Sequence, residues 1–176
     1  MRQARLAGIA LSCLLLAAGF GQAQANEHRE VEVNRVNPEG VGESLGTVTL
    51  EDTDHGLLLT PDLSGLSPGI HGFHVHENAG CGPEGESAGA EAGGHYDPDE
   101  TGRHEGPYGD GHLGDLPVLV VDEDGEARLP VLAPRLGLED LQGRSLMIHE
   151  AGDNYADEPK PLGGGGARVA CGMIAS

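Results

Sequence analysis

His74 and His76 stand two residues apart, followed by a looser series, His95, His104, His112 and Asp115, and by an isolated histidine far downstream, His149. Six of the nine histidines thus fall into two interleaved sets. His74, His76 and His149 make one, His104, His112 and Asp115 make the other, and His95 is placed to serve both. Imidazole suits copper and zinc, and three histidines with one carboxylate suit zinc in a closed tetrahedral site. The spacing therefore points to a two-metal enzyme. Any one of these histidines alone is an ordinary residue; their joint arrangement is the signal.

Strands must present these rings. His74 and His76 lie two apart on a predicted strand, 70–76, so both leave the same face and can share one metal. His71 has the opposite parity and is expected to be a hydrogen-bonded structural histidine. His149 closes the apolar run 146–148, where a strand end can meet the pair. His28 and His55 have no partner in motif spacing and are expected on the surface.

Eight runs read as strands: 30–36, 46–52, 56–60, 70–76, 116–122, 127–132, 145–149 and 167–174. The 30 glycines and 11 prolines fall between them, which is how an antiparallel sheet protein is punctuated. The expectation is an all-β fold, a β-sandwich or flattened eight-stranded barrel, with at most one helical turn at 138–141. Two stretches without strand signal, 77–114 and 150–166, are too long for idle connections and are expected to be functional loops, the first ordered by metal. Gly163 to Gly166 would ordinarily mean a flexible linker.

Residues 1–25 read as a cleaved secretion signal: Arg2 and Arg5, an apolar run over 6–20, and a small-x-small site at Ala23-Gln24-Ala25. A lipoprotein signal ending at Cys13 is the alternative. Either way Cys13 is set apart, and Cys81 and Cys171 remain in a domain spanning 26–176. An even pair in an exported chain is most simply a disulfide, with two separate buried thiols as the other reading; two distant cysteines make no zinc site. Closing so long a loop would remove about 4 to 5 kcal/mol of unfolded-state entropy in the chain-entropy account.

The domain has no tryptophan and 3% aromatic residues, so its core must be aliphatic. Its net charge, −19 for the whole chain, becomes more negative once Arg2 and Arg5 leave. Nucleic acid and anionic membrane surfaces are therefore not expected as partners of the mature form.

The strings GFHVHE (72–77), GGHYDP (93–98), GRHEGP (102–107), GHLGDLP (111–117), LMIHE (146–150) and GGGGARVACGMI (163–174) resemble copper/zinc superoxide dismutase in its bacterial secreted form, over 31–174. The resemblance implies a Greek-key barrel, superoxide as substrate, and a periplasmic or secreted location. It implies His74, His76, His95 and His149 as copper ligands, and His95, His104, His112 and Asp115 as zinc ligands, with His95 bridging. It implies a disulfide between Cys81 and Cys171, and Asp153 as the carboxylate linking a copper histidine to a zinc histidine. Arg168 would dock the anion, and His95 would take a proton as copper cycles between Cu(II) and Cu(I). Relatives include both monomers and dimers, so a homodimer stays open.

One departure stands out. The chain has a single lysine, Lys160, near acidic Glu150, Asp153, Asp157 and Glu158, where the family usually places several lysines. Two other functions fit parts of the pattern. A zinc hydrolase or hydratase could use a His-x-His pair and a distant His, but it leaves His104, His112 and Asp115 without a task. A non-catalytic copper-binding protein on the same scaffold would be expected to lack a ligand or the arginine.

Overall fold

The computed structural model describes residues 28–175, so the expected leader, 1–25, and Cys13 lie outside the described residues. β1 (His28–Asn37), β2 (Gly40–Thr53) and β3 (Gly56–Ser64) form an antiparallel meander. Val31 and Val33, Val48 and Leu50, and Leu57, Leu59 and Leu63 alternate along them and are buried, because every second side chain of a pleated strand leaves the same face. Each such burial stabilises the fold by roughly 1.5 to 3 kcal/mol relative to exposure. Apart from Phe73 and the partly buried Tyr96, the core is aliphatic.

Five further segments complete the main sheet: β5 (Phe73–His76), β9 (Ser145–His149), β10 (Arg168–Met173), and the short pieces β7 (Glu126–Ala127) and β8 (Val131–Ala133), both of which pair with β3. The order is β5-β9-β10-β1-β2-β3-β7, eight strands in all with β8. β10 returns to lie beside β1, giving the order of a Greek key. β4 (Gly69–His71) and β6 (Leu119–Val121) make a separate two-stranded sheet. The all-β expectation holds: a curled antiparallel sheet forms a half-barrel. The turn at Leu138–Leu141 is a 3-10 helix.

Two predicted strands prove to be two strands each. The run 70–76 breaks at Gly72, whose N–H donates to Ala151 O and whose carbonyl accepts from His149 N–H, so β4 and β5 enter different sheets. The run 127–132 breaks before Pro130, which has no N–H for the ladder. The run 116–122 keeps only Leu119–Val121. β2 and β3 extend beyond their predicted ends.

Cys81 and Cys171 form the disulfide, with Cα atoms 5.7 Å apart, so the reading as two separate thiols is withdrawn. Val36, Ala92 and Met147 pack around it in a small second core.

Candidate metal centre

β5 and β9 run edge to edge, with Phe73 opposite Ile148 and His74 opposite Met147. Phe73 and Val75 enter the core, which leaves His74 and His76 on the other face, as their spacing predicts. The first long loop then folds back along the free edge of β5. Val75 N–H donates to Gly114 O, Tyr96 N–H to Val75 O, Glu77 N–H to Gly94 O and Leu116 N–H to Phe73 O. These bonds set His95 beside His76 and Asp115 beside His74.

His149 is the last residue of β9 and Arg168 the first of β10. The register steps from Arg168 opposite His149 to Ala170 opposite Ile148, so Val169 is a bulge. Bulges re-aim side chains beside sites. This one puts the guanidinium on the strand position facing His149.

His74, His76, His95 and His149 gather with donor atoms within 4.8 Å of one another. The rings of His74 and His95 stack at 3.9 Å. One nitrogen of each of three rings is engaged: His76 Nδ1 donates to Gly93 O at 3.0 Å, His149 Nδ1 to Gly166 O at 3.2 Å, and His74 Nε2 to Asp153 Oδ2 at 2.7 Å. The other nitrogen of each, His76 Nε2, His149 Nε2 and His74 Nδ1, is buried without a hydrogen-bond partner. Fixing one nitrogen as donor fixes the other as a lone pair.

The second group centres on Asp115. Its Oδ1 lies 2.9 Å from His95 Nδ1 and 3.4 Å from His112 Nδ1, and its Oδ2 lies 3.0 Å from His104 Nδ1. His104 Nδ1, His112 Nδ1 and Asp115 Oδ2 are again buried without aligned hydrogen bonds. A tetrahedron with bonds of 2.0 to 2.1 Å spaces its donors about 3.3 to 3.4 Å apart, close to these separations. His74 also comes within reach of this group. Its Nε2 is taken by Asp153, however, so its free Nδ1 belongs to the first.

Asp153 joins the groups. Oδ2 accepts from His74 Nε2, while Oδ1 accepts from His104 Nε2 at 2.8 Å and from Tyr155 N–H at 2.7 Å. The second long loop is tied down nearby. Asp157 accepts from His104 N–H and Leu162 N–H, and Tyr155 Oη accepts from Val118 N–H. The glycines 163–166 are no flexible linker. Gly163 has φ +69°, and a Cβ there would land on Asp153 Oδ1 and come within 2.8 Å of His104 Nε2. At Gly165 a Cβ would come within 3.1 Å of His149 Cβ.

Arg168 donates to Gly89 O at 2.7 Å and Gly93 O at 2.6 Å. Both carbonyls belong to the loop that Cys81 tethers, and Gly93 O also orients His76. Arg168 borders one groove, and a second of about 370 Å³ is lined by His149, Lys160, Pro161, Leu162 and Gly164 to Gly166.

Burial, reinforced by neighbouring rings, pulls His74 down to about 3, His149 to about 4 and His76 well below the usual histidine range. They are held neutral, the state in which an imidazole can bind a metal ion. Burial would lower His104 too, but its hydrogen bonds to the Asp115 and Asp153 carboxylates outweigh this and raise it to about 9. Burial would raise the two carboxyls; hydrogen bonds led by His104 hold both below the usual range.

The His104 shift would make metal binding at the second group pH-dependent. In the metal-free protein its charged ring contributes stability that is complete below about pH 6.5 and is lost as pH rises through about 9. A metal ion bound through His104 Nδ1 would have to displace that proton, so binding at pH 7 should release about one proton and release should fall toward zero only above about pH 10. Calorimetry in buffers of different ionisation enthalpy measures it; no release at pH 7 would refute the charge state.

The remaining histidines fall where expected. His28 and His55 are exposed. His71 is buried, with Nδ1 2.7 Å from His149 O and Nε2 2.8 Å from Ser67 O. It is structural, but through the break at Gly72 rather than through strand parity. Sequence reasoning missed the tethering roles of Tyr155 and Asp157. Asp157 was visible only as a surface charge, and no motif marked it.

The half-barrel and its paired histidine groups, sharing one ring, define a two-metal protein in which an imidazole-rich site adjoins a closed zinc-type site. The profile described as copper/zinc superoxide dismutase matches residues 44–174. Superoxide dismutase 2 of Salmonella typhimurium, a copper-zinc enzyme, is 54% identical over 94% of this chain and 98% of its own, and the Escherichia coli copper-zinc enzyme is 53% identical over 93% and 96%. The solved copper/zinc superoxide dismutase of Brucella abortus superposes with a TM-score of 0.83 at 48% identity, covering 84% of this chain and 99% of that one. The chain belongs to the copper/zinc superoxide dismutase family. Its activity is the dismutation of superoxide, with copper and zinc as cofactors. The zinc-hydrolase and copper-carrier readings give way to this.

Proposed function

We propose that His74, His76, His95 and His149 hold copper, that His95, His104, His112 and Asp115 hold zinc, and that Arg168 docks superoxide. The observation that carries this division is the set of buried atoms without hydrogen-bond partners. His74 Nδ1, His76 Nε2 and His149 Nε2 serve one group, and His104 Nδ1, His112 Nδ1 and Asp115 Oδ2 the other. Bound there, copper would supply a one-electron couple and zinc a fixed positive charge. Imidazole nitrogens suit both, and the carboxylate favours zinc at the closed site.

The chain's own residues do the rest. Arg168, braced on two carbonyls, keeps further N–H donors for a small anion. Asp153 orients His74 and His104 together. His95 offers Nδ1 toward Asp115 and its other nitrogen, Nε2, toward the first group; Nε2 is where a proton is held for the departing peroxide.

Two of the four acidic residues near the entrance are engaged: Asp153 lies between two histidines, and Asp157 accepts two backbone N–H bonds. This leaves Lys160 on the groove beside His149 as a steering charge. A steering field changes on-rates by roughly 10- to 1000-fold. We read 1–25 as an export signal, in keeping with the disulfide. The acidic surface argues against nucleic acid and membrane partners, and among the described residues no helix is long and apolar enough to cross a membrane. Ile70 and Val120, exposed and paired across β4 and β6, are the apolar surface a homodimer would bury.

The test is a superoxide-decay assay on exported protein of measured metal content. The protein should begin at Asn26, carry both copper and zinc, and slow as salt is added; Lys160→Glu should slow it at low salt. Zinc without copper would reject the division of ligands. A rate that rises with salt would reject the steering role.

A further inference from the structure

We infer that Arg135 is a positioning residue for the zinc side of the centre, holding the turn that presents His112 and Asp115. It follows β8, where Ala133 pairs with Leu57 and the neighbouring Leu136 is buried in the core. Its backbone is thus fixed by the barrel rather than by the loop. From there the half-buried guanidinium reaches four backbone carbonyls of the first long loop. Nε donates to Pro107 O at 3.2 Å and Nη1 to Gly111 O at 3.1 Å, while Nη2 donates to Gly106 O at 3.3 Å and His112 O at 2.6 Å.

The four acceptors come from the two ends of one loop segment, 106–107 and 111–112, so a single planar group closes it. The His112 carbonyl is the decisive contact. It also accepts Asp115 N–H at 3.4 Å, closing the turn in which His112 Nδ1 stands 3.4 Å from Asp115 Oδ1. Arg135 forms no ion pair among the described residues; every bond goes to main-chain oxygen. Five N–H donors in a rigid fork suit such a ring of carbonyls, whereas an ammonium offers three donors from one point. Without the fork, those carbonyls must turn elsewhere, and His112 turns with them.

The inference rests on His112 and Asp115 being zinc ligands. It is tested by zinc transfer from the copper- and zinc-loaded protein to a chromophoric chelator, and by the visible spectrum of cobalt placed at the zinc site. Arg135→Gln should weaken zinc retention about 10- to 100-fold, the effect typical of residues that orient ligands. It should also alter the cobalt spectrum, and Arg135→Lys should recover only part. If Arg135→Gln does not fold, Arg135→Lys supplies the same two readouts. His112→Ala runs beside them. Parent-like zinc retention and cobalt spectrum in the Arg135 variants, with zinc lost from His112→Ala, would overturn the inference alone. Zinc retained by His112→Ala would overturn the ligand assignment beneath it.

Discussion

His149→Ala is expected to reduce superoxide turnover to the uncatalysed background and to strip copper from the protein while zinc stays. His149 offers its unpartnered Nε2 to the first group and takes no part in the second. Three imidazoles would remain, with alanine's methyl at the fourth position. The loss of the bond from His149 Nδ1 to Gly166 O should cost about 1 kcal/mol of stability. The variant should therefore fold, which separates loss of metal from loss of structure. Metal analysis with thermal unfolding checks it, and copper retained at the parent level would remove His149 from the ligand set.

Arg168→Ala should do the opposite, keeping both metals yet slowing dismutation about 10- to 100-fold through the lost positive charge. Among the described residues, the guanidinium's hydrogen bonds go to the Gly89 and Gly93 carbonyls rather than to a donor atom of either group. Arg168→Lys should restore part of the rate, since lysine keeps the charge but not the planar fork that braces on two carbonyls while leaving N–H donors free. Rates are compared at matched metal content. Full speed in the alanine variant would show that the anion is docked elsewhere.

The proposed ligands were legible because chemistry constrains residue type and spacing together: two histidines of one parity on an apolar run, then a carboxylate closing a histidine series. Strand boundaries were less so. Gly72 and Pro130 each cut a continuous apolar run by changing hydrogen-bond partners, which composition does not reveal. The bulge at Val169 was invisible too, since it depends on how β10 registers against β9. Arg135 could not be found at all from the sequence. Its partners are peptide carbonyls, which every residue carries. The glycine series misled in the other direction, because conformational freedom and close approach look alike in a sequence and only the packed neighbours tell them apart.

The bond between Cys81 and Cys171 does more than add stability. Reducing it would remove the covalent tether from the segment bearing Gly89 and Gly93, on whose carbonyls the guanidinium rests. A chain with the bridge open would then hold the proposed anion-docking group less firmly than one with it closed.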